Sequence, residues 1–370
     1  MMEDIRKDHP ESKKDSPLRK SYPSILKTWL AIGVFMVFMQ VVIGGITRLT
    51  GSGLSITKWE IVTGTLPPMN TVQWEEAFEL YKATPQYEKI NEGMELKDFK
   101  FIYFWEYFHR LWARLMGLVF AIPFFIFLRK GWLDKMLKRR LLIVVLMAAV
   151  VASFGWLMVA SGLVERPWVN AYKLTMHLSL ALILFSYLLW TTFKVFQPYK
   201  QVFHSKMLKK GALTLLIVLS LQIILGGIMS GMKAALFYPT WPDMSGELIP
   251  SVLLDGAEWT GQNFINYDKT PFMSALIQIL HRTTAYLLTV IGLWYIISGL
   301  KQQTSPLFRQ TLFLFIGLLF LQVMLGILTV MNSIGSIPVG LGVYHQAGAL
   351  LLLGSLLFLN YLLQNQKTEA

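Results

Sequence analysis

Glu106-Tyr-Phe-His109-Arg110 and Gln278-Ile-Leu-His281-Arg282 are the two stretches that decide the fold. Each lies in a long apolar run, and the second repeats the first after 172 residues. Another histidine follows in each half of the chain: His177, 68 residues after His109, and His345, 64 residues after His281. A histidine in hydrocarbon is costly and calls for a partner. Four at matching places in two repeats predict two metal or haem sites.

Outward from these histidines, the sequence divides into eight apolar runs near the length a bilayer requires. They cover 28–47, 104–128, 141–163, 173–193, 211–231, 273–297, 311–331 and 339–363. The 370 residues are 54% hydrophobic and only 15% charged, the composition of an integral membrane protein. The predicted fold class is an all-α membrane protein of eight transmembrane helices, arranged as two tandem pseudo-symmetric four-helix bundles. Its parts are a disordered tail 1–27, an N-terminal half 28–193, a linker 194–210, a C-terminal half 211–363 and a tail 364–370. Each half holds an even number of spans, so both copies insert with one topology and their pseudo-symmetry axis lies along the membrane normal.

Charge sets the orientation. The N-terminal 27 residues carry seven Lys/Arg, and 129–140, 194–210 and 298–310 carry six, five and two. The opposite loops are acidic: 49–103 has eight acids against five lysines. By the positive-inside rule the basic face and both termini are cytoplasmic. The tail mixes seven basic with five acidic residues and has no apolar core, unlike a transit peptide or a cleaved signal. A bacterial inner membrane is therefore expected. The net charge of +12 belongs to one-sided loops, not to a nucleic-acid surface. The absence of cysteine excludes disulfides, thiolate-held iron–sulfur clusters and cysteine-attached haem.

The repeat extends beyond the histidines. Gln40-Val-Val-Ile-Gly-Gly45 and Gln222-Ile-Ile-Leu-Gly-Gly227 end corresponding spans, and Gln322-Val-Met-Leu-Gly326 renews the theme. Such glycines allow close helix packing, and equally leave room for a flat macrocycle. All four histidines fall roughly four to nine residues inside their predicted spans, about 6–13 Å at 1.5 Å per residue. Scattered packing residues would have no reason to share that depth.

Zinc takes four ligands, or three and a water, and a facing histidine pair leaves that shell half empty. Haem iron needs only two axial imidazoles, because the porphyrin supplies the rest. Its propionates need cations. Arg110 and Arg282 follow their histidines directly and suit bidentate pairing; Arg48 and Arg114 lie near the same outer face, where snorkelling is the alternative. The halves differ at one place: Glu106 stands where the second half has Gln278. On the predicted spans Glu106 is the one acid of 22 inside a span, and at i, i+3 it shares a face with His109. It is placed to exchange protons at the first site or orient a reacting group, or else to meet the helix dipole and water.

Read together, several segments resemble the haem A synthase family in its cysteine-free form. They are Gly44-Gly45-Ile46-Thr47-Arg48-Leu49-Thr50, Gly51-Ser52-Gly53-Leu54-Ser55, Trp59, Gly64-Thr65-Leu66-Pro67-Pro68, Glu106 to Arg110, Gly231-Met232-Lys233-Ala234 and Phe237-Tyr238 through Trp241-Pro242. The resemblance covers nearly the whole chain from about residue 28. Ile56 and Thr57 stand where some members carry a cysteine pair, so no thiol role transfers. The resemblance implies oxidation of a methyl group of haem O to a formyl group by two hydroxylations and loss of water. It implies haem b held permanently by His281 and His345, with Arg282 at a propionate. Haem O would be the substrate between His109 and His177, with Arg110, Arg48 and Arg114 at its propionates and Glu106 catalytic. Electrons must come from an external donor of the ferredoxin or quinol class, since no nicotinamide or flavin motif is present. The enzyme that makes haem O is a candidate partner. Two other readings are a di-haem electron-transfer cytochrome b, which leaves Glu106 unexplained, and a proton-relaying transporter, which predicts helix breaks beside the histidines.

Overall fold

The computed structural model describes residues 22–57, 66–162, 167–196 and 205–364. Most of the N-terminal tail, Trp59, Gly64-Thr65, the middle of the 194–210 linker and the last six residues lie outside that set.

Eight helices are long and apolar enough to cross a membrane. They are α1 (Ser24–Leu49), α4 (Leu96–Arg129), α5 (Lys135–Gly162), α6 (Ala171–Phe196), α7 (Lys206–Gly231), α9 (Phe272–Leu300), α10 (Pro306–Met331) and α11 (Val339–Leu362). The protein is a multi-pass membrane protein. No strand occurs among the described residues, beyond an isolated bridge between Met244 and Glu247. In hydrocarbon only a helix satisfies its own backbone within a single segment.

Most helices run a turn or two beyond the predicted spans, because their ends carry polar residues that hydropathy alone discards. Ser205 and Ser305 cap α7 and α10, accepting from Leu208 N and Phe308 N at 3.2 Å. The largest departure is α4, which starts at Leu96 and not at 104. His109 therefore lies thirteen residues inside its helix, deeper from its start than expected, and Asp98 joins Glu106 as an acid on that helix, in its first turn.

The extra turns of α4 support a folded cap. In the outer segment, α2 (Thr71–Lys82) begins at Asn70 and α3 (Pro85–Ile90) at Thr84, each side chain accepting a backbone N–H three residues on. Phe78, Tyr81, Phe99 and Ile102 form a buried cluster, with Phe78 and Tyr81 stacked on Phe99 at 4.9 and 5.2 Å. The described part of the segment between the first two spans, from residue 70 to α4, is thus packed together. In the second half, residues 232–271 hold three short 3₁₀ turns and α8 (Gly261–Ile265).

Within each half the contacts correspond. Helix α1 packs on α4 and α6, and α5 on α6; likewise α7 packs on α9 and α11, and α10 on α11. The histidine-bearing helices of each half therefore meet chiefly through their neighbours. One contact has no counterpart: α9 packs on α10, whereas α4 and α5 do not pack closely. The halves join through α1, α6, α7 and α11 around one large core that includes Val41, Phe185, Leu215 and Leu353. Small residues permit the approach. A Cβ on Gly231 would come within 2.6 Å of Ala171 Cα, and one on Gly45 within 2.6 Å of Gln346 Oε1.

Candidate functional site

Each histidine leans on a glycine of the preceding spanning helix. A Cβ would lie 3.0 Å from His109 Cε1 at Gly44, 2.9 Å from His177 Cε1 at Gly155, 3.1 Å from His281 Cε1 at Gly226 and 3.0 Å from His345 Cε1 at Gly326. Glycine is needed at these four places because any side chain would displace an imidazole.

One turn before three of these glycines stands a glutamine. Gln40 Nε2 lies 3.1 Å from His109 Nε2, Gln222 Nε2 3.1 Å from His281 Nε2, and Gln322 Nε2 3.0 Å from His345 Nδ1. Gln40 and Gln322 also donate to the backbone carbonyls of His109 and His345, at 3.3 and 2.6 Å. In the sequence these glutamines stand out only as marks of a repeat. Their threefold Gln-x-x-x-Gly spacing was the available signal, since residues four apart lie on one helix face.

The rings of the second pair face each other. The His281 and His345 ring centres are 6.4 Å apart with planes at 76°, and His109 and His177 stand on α4 and α6, the counterparts of α9 and α11. Two imidazoles on opposite sides of one metal, each with a bond of about 2 Å, bring their ring centres to roughly 6 Å. Among the described residues no three His, Asp or Glu side chains converge as a metal-binding group, so a tetrahedral ion would be short of ligands. Five buried polar atoms here make no hydrogen bond: Nδ1 of His177 and His281, and Oε1 of Gln40, Gln222 and Gln322. Buried orphans of this kind are rare and cost about 1–3 kcal/mol each. Their clustering fits sites shaped around a polar occupant, and two axial nitrogens per site fit haem iron.

Glu106 is 3% exposed, and four donors converge on it. Ser55 N, Ser55 Oγ and Ile56 N reach Oε2 at 2.7, 2.8 and 2.8 Å, and Arg110 pairs with Oε1. The carboxylate therefore fixes the turn after α1 to α4. Gln278 fills the matching role, donating to Ala234 O at 3.1 Å and accepting from Arg282 at 2.7 Å.

The arginines also have protein partners. Arg282 donates to the carbonyls of Thr240 and Asp243 at 2.7 and 2.6 Å, which fastens the loop after α7. Arg48 donates to the Ser230 and Gly231 carbonyls at 2.6 and 3.2 Å, closing the end of α7 across the boundary between halves. Arg114 lies one turn beyond Arg110 on α4 and is half-buried. A propionate at Arg48, Arg110 or Arg282 would share or replace bonds already made.

These features define a helical membrane protein with two imidazole pairs built into its bundle. The chain belongs to the COX15-CtaA family of cytochrome oxidase assembly proteins, whose model matches residues 27–357. It is 38% identical over 330 residues to a protein named Heme A synthase from Sinorhizobium medicae, covering 89% of this chain and 87% of that one. Proteins of the same name from Flavobacterium psychrophilum and Nitrosospira multiformis are 40% and 39% identical, over 88% and 91% of this chain and 94% and 93% of theirs.

Proposed function

We infer that this protein is a haem A synthase, a membrane oxidoreductase of haem A biosynthesis whose substrate is haem O. The observation that carries the reading is the 6.4 Å separation of the His281 and His345 rings, with His109 and His177 set on matching helices of the other half, each against its own glycine. The shared name of relatives that match nearly the whole chain supports it.

The second half is the cofactor half. His281 and His345 hold haem b, with Gln222 and Gln322 and the glycine floors fixing their rings. When bound, haem b supplies one-electron transfer at the bundle core. The first half receives haem O between His109 and His177, and its methyl group is oxidised to a formyl group. Glu106 sets the position of Arg110 and of the 52–56 turn against this site, and the α2–α3 cap closes its outer end through Gln86, which donates to Gly51 O at 3.0 Å. Arg110, Arg48 and Arg114 on one side and Arg282 on the other are the cations nearest the propionates. The basic turn between α4 and α5, with Arg129, Lys130, Lys135, Lys138, Arg139 and Arg140, supports a cytoplasmic position for that end of the bundle and for both termini. The relatives named above are bacterial, which supports a bacterial cell membrane. A ferredoxin or quinol supplies electrons, and the enzyme that makes haem O is the natural neighbour for an apolar substrate.

Glu106→Gln tests the assignment. The variant keeps the haem b spectrum and loses conversion of haem O by at least about a hundredfold, the scale of a positioned acid or base. Wild-type yields of haem A would overturn the catalytic placement of Glu106. A di-haem cytochrome would show two haem signals and no conversion in the wild type.

A further inference from the structure

Three of the four imidazoles share one holding device, and the fourth lacks it. Gln40, Gln222 and Gln322 each stand one turn before the glycine that floors a histidine, and each places its amide 3.0–3.1 Å from a ring nitrogen. The corresponding position of α5, one turn before Gly155, is Val151, which has no side-chain polar group. His177 packs against Gly155 as the others pack on theirs and meets the backbone of Val151, as His281 and His345 meet those of Gln222 and Gln322; what it lacks is the side-chain amide.

The surroundings differ in the same direction. Helix α5, the wall behind His177, packs closely on α6 but not on α4, whereas its counterpart α10 packs on both α9 and α11. Only 6% of the apolar window of α5 is buried, against 17% for α10. His177 thus has no side-chain amide beside its ring and stands on a wall braced from one side, unlike His281 and His345. Partners that hold the far side of a histidine set its orientation and its strength as a ligand.

We propose that His177 is the yielding ligand of the first site: it lets go of the iron reversibly and opens one coordination position to a small diatomic molecule, while His109, His281 and His345 stay bound. Val151 is the residue that permits this and Gln40 the one that forbids it on the opposite side; both are positioning residues. The proposal rests on the reading of His109 and His177 as the two ligands of haem O. It adds that the halves differ in how tightly the second imidazole is held.

The test uses the full chain in detergent or nanodiscs, loaded with haem, reduced with dithionite and exposed to carbon monoxide. Haem per chain is measured alongside the carbon monoxide difference spectrum. Wild type is expected to hold two haems and to bind carbon monoxide at one. Val151→Gln, which supplies the missing amide on an unchanged helix, is expected to keep two haems and to lower the carbon monoxide-reactive fraction roughly five- to tenfold, the effect of one added hydrogen bond. Gln322→Val is expected to make the second site reactive too. A wild-type protein with two haems and no carbon monoxide binding overturns the proposal without touching the functional reading, and needs no variant to fold. Equal reactivity of wild type and Val151→Gln overturns it as well. A chain that holds haem only through His281 and His345, under saturating haem, removes the first-site reading and this proposal together.

Discussion

Ser55 gives Glu106 two hydrogen bonds, one from its backbone N–H at 2.7 Å and one from its hydroxyl at 2.8 Å, both to the same carboxylate oxygen. The turn that ends the first span is thereby tied to the helix that carries His109. Glu106 is thus a tether for its loop.

Ser55→Ala removes the hydroxyl bond and keeps the backbone ones. A hydrogen bond to a charged group contributes about 1.5–3 kcal/mol, so the 52–56 turn should open more often. Hydrogen exchange of the Ser55 and Ile56 amides should quicken by at least tenfold. Conversion of haem O should fall less than in Glu106→Gln. Unchanged exchange would mean that the tether is not what orders the turn.

The glycine floors make a sharper demand. At Gly226 and Gly326 an added methyl would sit 3.1 and 3.0 Å from an imidazole carbon, closer than ordinary van der Waals contact. Gly226→Ala and Gly326→Ala should each shift or abolish the haem b spectrum while the helical content stays that of wild type. Gly317→Ala, where nothing lies within 4 Å, is the control and should leave the spectrum alone.

Much of this arrangement is readable from the residues alone. The eight spans follow from length and hydropathy, and the four histidines from their spacing. Partners four apart on one helix, Glu106 with Arg110 and Gln278 with Arg282, are also implicit in periodicity. Periodicity does not tell where a long side chain ends. Arg48 lies near the outer face in both views, yet only the fold brings the Ser230 carbonyl to it from 182 residues away. Gln40, Gln222 and Gln322 were visible as a motif, but their amides find the imidazoles only once α1, α7 and α10 are set beside their partners. The start of α4 departs from the predicted 104 because Leu96–Tyr103 buries Phe99 and Ile102 against α2, not against lipid.

Arg48→Ala leaves the two carbonyls at the end of α7 without their guanidinium. The loss should lower the thermal midpoint of the whole chain by an amount consistent with about 1.5–3 kcal/mol. Because Arg48 bridges the halves, both haem sites should melt earlier together. Independent melting of the two sites would show that this contact does not couple them.

Acid should loosen the loop after α7. The Thr240 hydroxyl and the Gly246 backbone hold the Asp243 carboxyl below its ordinary value. A carboxylate lowered on folding stabilises the loop above the ordinary carboxylate range and loses that contribution as pH falls through the lower folded value. Asp243 is only half-buried, so solvent screening keeps the effect small. Trp241, which donates to the Tyr286 hydroxyl at 3.1 Å, reports on the same loop. Its emission should change only in that acid window, and the change should vanish in Asp243→Asn. A change centred near neutral pH would assign it to another group.

The most direct measurement is the haem content of four single variants, His109→Ala, His177→Ala, His281→Ala and His345→Ala, purified without added haem and read by the reduced-minus-oxidised spectrum. His281→Ala and His345→Ala should lose the permanent haem b signal, and His109→Ala and His177→Ala should retain it. A haem b signal that survives loss of His281 or His345, or that disappears with His109, would contradict the division of the bundle into a cofactor half and a substrate half.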